Sequence, residues 1–294
     1  MTPGRFTGRV AAITGAASGM GRALAVELAR RGCHLALADI DAEGLAETAR
    51  QVAGITVTTR EAGVTITTAH VDTADRAAVF AWAADVVRDH GRVNLVFNNA
   101  GVALGAAAGE ADPGDFAWVM GVNFWGVVWG TQAFLPHLEA SGDGHVVNTS
   151  SVFGLLAMPL NGAYNASKFA VRGYTEALRM ELDLKGGGVS ATCVHPGGVR
   201  TRIAVDARLD PRVAAWTGQS VDEARRTFDK LLDATTAEAA ALRILAGVER
   251  NERRVLVGRD AWWADKLVRV FGSAYQRLVV AGVKRQRARA RRAR

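Results

Sequence analysis

The chain has 294 residues, 49% of them hydrophobic and 22% charged, a balance that excludes a disordered or fibrous protein and suffices for one sizeable core. Its formal net charge of +7 suggests nucleic-acid binding until the charge is located: KRQRARARRAR at 284–294 holds seven cations and no acid, which accounts for all of it. The rest is formally neutral, and a basic tail without interleaved aromatics does not favour a nucleic-acid partner.

The opening MTPGRFTGRV lacks the continuous apolar core of a signal peptide, so a cytoplasmic protein is expected. Cys33 and Cys193 lie far apart within apolar segments and are expected to be reduced and buried. Strand-length apolar runs near 9–14, 34–39, 65–71, 93–98, 144–149, 188–194 and 254–257 alternate with helical patterns near 19–32, 42–52, 74–90, 114–140, 162–185 and 236–251. That alternation predicts an α/β fold, a single doubly wound parallel sheet of Rossmann type with about seven strands and helices on both faces. Thr235-x-x-Glu238 has the form of a capping box for the last of these helices.

The first strand runs into TGAASGMG, Thr14 to Gly21. Glycines at 15, 19 and 21, with Ser18 and Met20 between them, suit a tight turn that brings a helix N-terminus against a pyrophosphate. Asp39 ends the second strand about twenty residues on, where a carboxylate accepts hydrogen bonds from an adenosine ribose. Ser18 and Ile40 stand where a cation could neutralise a 2′-phosphate, so NAD is favoured over NADP. GITVTT at 54–59 and GVTITT at 63–68 look like a short duplication and predict a longer connection or a hairpin.

Next come VD at 71–72 and NNAG at 98–101, each at a strand end, and Asn123 within the uncharged stretch Phe116 to Leu138. A helix apolar all round is more simply buried than membrane-spanning. NTSSVFG at 148–154 places Ser150 and Ser151 at the carboxyl end of a strand, where such sheets hold ligands. YNASK then puts Tyr164 and Lys168 one turn apart on a helix, and HPGGVRT at 195–201 follows another strand. The charged stretch 202–234, with Trp216, is placed to cover a substrate; Val152, Phe153, Leu155, Leu156, Met158 and Leu160 are candidate apolar lining. No histidine or cysteine spacing suggests a metal site.

In order and spacing these motifs resemble the short-chain dehydrogenase/reductase family, from about Arg9 to about Gly258. The resemblance implies a tetrad: Tyr164 as general acid/base, Lys168 holding the nicotinamide ribose and lowering the tyrosine pKa, Ser151 (less so Ser150) on the reacting oxygen, and Asn123 keeping a water in a proton relay. It further implies cofactor contacts at Asp72, at Asn99, Ala100 and Gly101, and at Val199 and Thr201. A free tyrosine titrates near 10, and an ammonium and an oxidised nicotinamide both favour phenolate. Asn165, Ala166 and Ser167 are read as leaving the cofactor room. The implied activity is NAD-linked interconversion of an apolar secondary alcohol and ketone, with an NADPH-dependent carbonyl reductase or a nucleotide-sensing protein as alternatives.

A homodimer or homotetramer through the 114–140 and 162–185 helices is also implied, and Trp118, Trp125 and Trp129 suit such an interface. Beyond the catalytic domain, 1–258, Trp263, Leu267, Val270, Phe271, Ala274 and Leu278 form one apolar stripe in an amphipathic helix at 259–283, ahead of a disordered basic tail at 284–294. The helix is expected to pack on the protein's own substrate rim or a neighbouring subunit; a peripheral contact with anionic membrane is the rival.

Overall fold

The computed structural model describes residues 5–59, 63–232 and 234–292. In chain order the elements are β1 (Val10–Thr14), α1 (Gly19–Arg30), β2 (His34–Asp39), α2 (Ala42–Thr59), β3 (Ile66–His70), α3 (Arg76–His90), β4 (Leu95–Asn98), β5 (Leu104–Gly105), α4 (Pro113–Met120), α5 (Gly126–Ser141) and β6 (His145–Thr149). There follow α6 (Gly162–Lys185), β7 (Ser190–Pro196), β8 (Arg208–Leu209), α7 (Val213–Thr217), α8 (Val221–Leu231), α9 (Ala237–Glu249), β9 (Arg254–Val257), α10 (Arg259–Phe271) and α11 (Tyr275–Arg292).

Seven strands form one parallel sheet in the order β3-β2-β1-β4-β6-β7-β9, at the seven predicted places. The inner strands are apolar on both faces because helices cover both. On one side Leu24 and Leu28 of α1 and Ile244 and Leu245 of α9 pack on Ile13, Leu35, Leu37 and Phe97. On the other, Trp82, Phe134, Leu138, Leu178 and Leu182 pack on Ala12, Ala36, Val96 and Val146. The strand order reverses between β1 and β4, which opens a crevice at their carboxyl ends.

Several local expectations are corrected. GITVTT at 54–59 extends α2 instead of forming a hairpin, so only the second half of the apparent duplication contributes to β3. The 114–140 helix is broken by a π-helical turn, Gly121–Trp125, that carries Asn123. Thr236, one residue later than expected, caps α9 by accepting from the Ala239 amide at 3.2 Å. A complete capping box forms instead at Ser220 and Glu223 on α8.

The C-terminal region also differs. It is two helices, separated at Gly272 (φ 51°), and the second continues through Arg292, so most of the basic tail is helical. Its cations are separated by alanines, which support a helix well. No helix among the described residues is long and apolar enough to cross a membrane.

The covering segment at 202–234 is tied both to the body and within itself. β8 pairs in parallel with β5, and the Arg225 guanidinium donates to the carbonyls of Ala204 (2.9 Å), Val205 (2.5 Å) and Ala207 (3.1 Å).

Candidate active site

The crevice deepens into a cavity of about 870 Å³, whose wall runs from Asp39, Ile40 and Asp72 past the glycine loop to Ser151, Tyr164 and Lys168. The glycines are required by space as well as by φ. A Cβ on Gly21 would lie 2.0 Å from the Gly15 carbonyl oxygen, and one on Gly15 (φ 67°) 2.8 Å from Ala100 Cα. Ser18 at the N-terminus of α1 makes no side-chain capping bond, in contrast to the aspartates that cap α3 and α4. Asp39 Oδ2 accepts from the Ala17 amide at 2.8 Å and Oδ1 from Asp41 at 3.0 Å, so this carboxylate shapes the loop while bordering the cavity.

Thr14, which the sequence did not single out for a role of its own, organises the opposite wall. Its hydroxyl accepts from the amides of Asn99 (3.0 Å) and Ala100 (3.1 Å). The Asn99 side chain returns a bond to the Thr14 carbonyl at 3.1 Å. Gly101, Asp72, Val199 and Thr201 all border the cavity, as do Ser18, Gly19 and Met20.

Tyr164 and Lys168 lie one turn apart on α6, with the ammonium 5.6 Å from the phenol ring centroid and donating to the Thr149 carbonyl at 3.1 Å. In the protein alone the ammonium does not lower the tyrosine. Burial pushes the phenol up to about 12, opposed by a hydrogen bond from Ser151, and pushes the lysine down to about 8. Desolvation outweighs their interaction because both groups are removed from water.

The paired serines separate clearly. Ser150 Oγ donates to the Lys168 carbonyl at 2.7 Å and braces α6, whereas Ser151 is the one bonded to the phenol. The Ser151 carbonyl accepts from His195 Nδ1 at 3.0 Å, which fixes that imidazole's tautomer. Asn123 is wholly buried. Its side-chain amide pairs both ways with the Val102 backbone (2.8 and 2.9 Å) and donates to Ser167 Oγ at 3.1 Å. A Cβ on Gly101 would sit 3.3 Å from Asn123 Oδ1 and 3.4 Å from Lys168 Nζ, so these two groups flank one point.

The three residues between Tyr164 and Lys168 do more than leave room. Asn165 is buried and clamps Met158, donating to its carbonyl at 2.8 Å, while Ser167 donates to the Tyr164 carbonyl at 2.8 Å. Of the predicted lining, Val152, Phe153 and Met158 face the cavity; Leu155, Leu156 and Leu160 do not. Trp216 is also absent from the wall, its indole N–H turned to Glu110 at 3.4 Å. The covering segment instead contributes Ile203 and Phe228, which with Ala207 behind them pack with Phe153 over Tyr164. Trp118 lines the cavity beneath the Arg208 guanidinium (3.8 Å), so it is not free for a subunit interface.

Two residues beyond the sheet also reach the site. Asp260, in the first turn of α10, accepts from the Gly198 amide at 2.5 Å and borders the cavity. The Tyr275 hydroxyl of α11 accepts from the Ala157 amide at 2.8 Å, next to Met158. Among the described residues no cluster of three or more metal-ligating side chains occurs.

Residues 9–212 match the family model for short chain dehydrogenases. The chain belongs to the short-chain dehydrogenase/reductase family. SadH of Mycobacterium tuberculosis, named as an oxidoreductase, is 46% identical over 278 residues, covering 95% of this chain and 96% of that protein. A family member from Burkholderia phymatum, solved in complex with NAD, is 34% identical with a TM-score of 0.80 over 92% of this chain and 96% of its own. A Mycobacterium paratuberculosis short chain dehydrogenase bound to NAD is 28% identical with a TM-score of 0.72, over 88% of this chain and 99% of its own. Family membership makes the protein an oxidoreductase of this type.

Proposed function

We propose that the protein is an NAD-linked dehydrogenase that interconverts an apolar secondary alcohol, steroid-, terpenoid- or lipid-like, with its ketone. The observation that carries this is the single cavity shared by the glycine loop, Asp39 and the Ser151–Tyr164–Lys168 group. The residues fit the cofactor. Gly15, Ser18, Gly19, Met20 and Gly21 form a cradle that a Cβ at 15 or 21 would fill, at a helix end whose amides lack a side-chain cap. Asp39 and Ile40 would hold the adenosine ribose, Asp72, Asn99, Ala100 and Gly101 the adenine side, and Val199 and Thr201 the nicotinamide amide. Asp39 disfavours a 2′-phosphate, and no cation stands at 18 or 40 to offset it.

When bound, oxidised nicotinamide supplies a hydride acceptor and a positive charge. The protein supplies the proton chemistry. Tyr164 Oη takes the hydroxyl proton of the alcohol, and Ser151 Oγ orients the reacting oxygen by a hydrogen bond. Lys168 holds the nicotinamide ribose and stabilises phenolate, and Asn123 beside it maintains a relay that returns the proton to solvent. Phe153, Ile203, Ala207 and Phe228 exclude water from the phenol, and Phe153, Ile203 and Phe228 present an apolar surface to the substrate. Assembly as a homodimer or homotetramer through α5 and α6 is supported by Phe169, Met180 and Leu184 on α6 and by Trp125 at the end of the turn that leads into α5, all exposed.

The test is NADH appearance with a panel of steroid, terpenoid and aliphatic secondary alcohols, run beside Tyr164→Phe. Turnover that the substitution removes is expected. Turnover unaffected by it, or NADH binding with no alcohol oxidised or ketone reduced across a broad panel, would refute the assignment.

A further inference from the structure

The C-terminal helices are held to the protein largely by polar ties. Beside buried Ala261 and the buried Tyr275 ring, Asp265 pairs inward with Arg254 (3.0 Å), Asp260 holds Gly198, Tyr275 holds Ala157, and Arg287 donates to the Ala215 carbonyl of α7 at 3.1 Å. The apolar stripe seen in the sequence faces outward. Trp263 is 61% exposed, Val270 74%, Phe271 52% and Leu278 58%. So the region meets the substrate rim at Ala157 and Gly198, and not through its stripe.

The charges follow the same division. Residues 259–292 contain ten cations and two acids, and both acids, Asp260 and Asp265, are engaged inward. Arg287 lies nine residues after Leu278, half a turn round the helix, so the face opposite that anchor presents Leu278 together with Arg285, both exposed, while the exposed Arg277 and Lys284 lie on the flank between that face and the anchor. On α10 exposed Arg259 and Lys266 flank Trp262 and Trp263, with Lys266 Nζ 5.5 Å from the Trp262 ring. Tryptophans and basic residues interleaved on one unpartnered face form the chemistry of a bilayer interface, where indoles sit at headgroup depth and cations meet anionic lipid.

We propose that the outer face of α10 and α11 docks peripherally on an anionic lipid bilayer. Charge decides for lipid over a second copy, because this face would meet its own cations in a twofold contact. Docking there would set the substrate rim, which the same helices brace through Ala157 and Gly198, beside the phase that dissolves apolar alcohols.

Flotation of the full chain with phosphatidylcholine vesicles, with and without phosphatidylglycerol, tests this. Expected is recovery with the anionic vesicles that falls with added salt. Lys266→Glu with Arg285→Glu should cut it more than about tenfold, given roughly 1 kcal/mol per basic residue near such a surface. Trp263→Ser with Phe271→Ser should cut it about as much, with the far-UV circular dichroism of each variant unchanged. Four outcomes would overturn the proposal: no recovery with either vesicle; equal recovery with both; a Trp263→Ser variant that loses oligomeric state in sedimentation while vesicles bind nothing; or a salt-sensitive shift of duplex DNA without vesicle binding.

Discussion

The Tyr275 hydroxyl accepts a hydrogen bond from the Ala157 amide at 2.8 Å, joining a helix beyond the sheet to the loop that carries Met158 into the cavity. Tyr275 is buried and Ala157 contributes only backbone, so the contact is a brace on the substrate wall. Tyr275→Phe should lower stability by about 1 kcal/mol, the net value of a typical hydrogen bond. It should raise KM several-fold with kcat nearly unchanged, as steady-state kinetics would show.

Ser151→Ala and Ser150→Ala should behave differently despite their adjacency. The first removes the phenol's partner and should lower kcat by about 10²-fold or more. The second removes a brace on α6 at Lys168 and should cost about 1 kcal/mol of stability, read as a lower Tm. Equal loss of kcat in both would contradict the separation of roles.

Lys168 and Tyr164 titrate against the expectation for free side chains, and the sign can be followed. Lys168 falls to about 8, so the unfolded chain binds the extra proton between about pH 8 and 10.5 and stability rises with pH there. Tyr164 at about 12 keeps its proton after the unfolded chain has lost it, so stability falls above about pH 10. Lys168→Met should remove the rising portion in alkaline denaturation curves. In turnover the same variant should move the acid-side limb of alcohol oxidation, where the phenol loses its proton, upward by at least about one pH unit, since the cation no longer favours phenolate beside the bound cofactor. Tyr164→Phe should lower kcat by about 10³-fold.

His145 and His195 are buried and neutral. Burial pushes them down to about 3 and about 4, with nearby arginines adding to the effect. His145 Nε2 donates to Thr192 Oγ1 at 2.8 Å, because that hydroxyl already donates to the Glu252 carbonyl. The unfolded chain therefore takes up protons that the folded one refuses as pH drops below about 6.5. At pH 5 each histidine should cost roughly 2 kcal/mol relative to neutral pH. Urea midpoints at pH 5 and pH 7 would measure it, and His195→Asn should flatten the difference.

Gly21→Ala should abolish NADH binding, read by protein-to-cofactor fluorescence transfer, since the added methyl collides with the Gly15 carbonyl. Asp39→Ala combined with Ile40→Arg should move preference toward NADP by about 10²-fold, exchanging a repulsive carboxylate for a guanidinium. Overall activity should fall as well, because Asp39 also holds the Ala17 and Asp41 amides.

The fold was legible because each strand is a local apolar run and each catalytic motif a short string at a strand end. What could not be read depends on contacts between distant residues. The π turn that carries Asn123 leaves no period in an all-apolar stretch, so one long helix was the natural expectation. Asp260 and Tyr275 meet Gly198 and Ala157 across 62 and 118 residues, and nothing near them in sequence marks the pairing. The apolar stripe at 263–278 was visible as periodicity, yet periodicity does not say which way a stripe faces. Here the inward ion pair of Asp265 with Arg254 decided it.

The three carbonyls gathered by Arg225 make the chain over the substrate a plate with its own internal stitching, tied to the body where Leu104 meets Arg208, at Glu110 through Trp216 and at Arg287 through Ala215. Such a piece would move as one unit. Ile203, Ala207 and Phe228 would leave the phenol together, so Tyr164 would pass in one step from a dry chamber to open water, and each turnover would be gated as all or nothing.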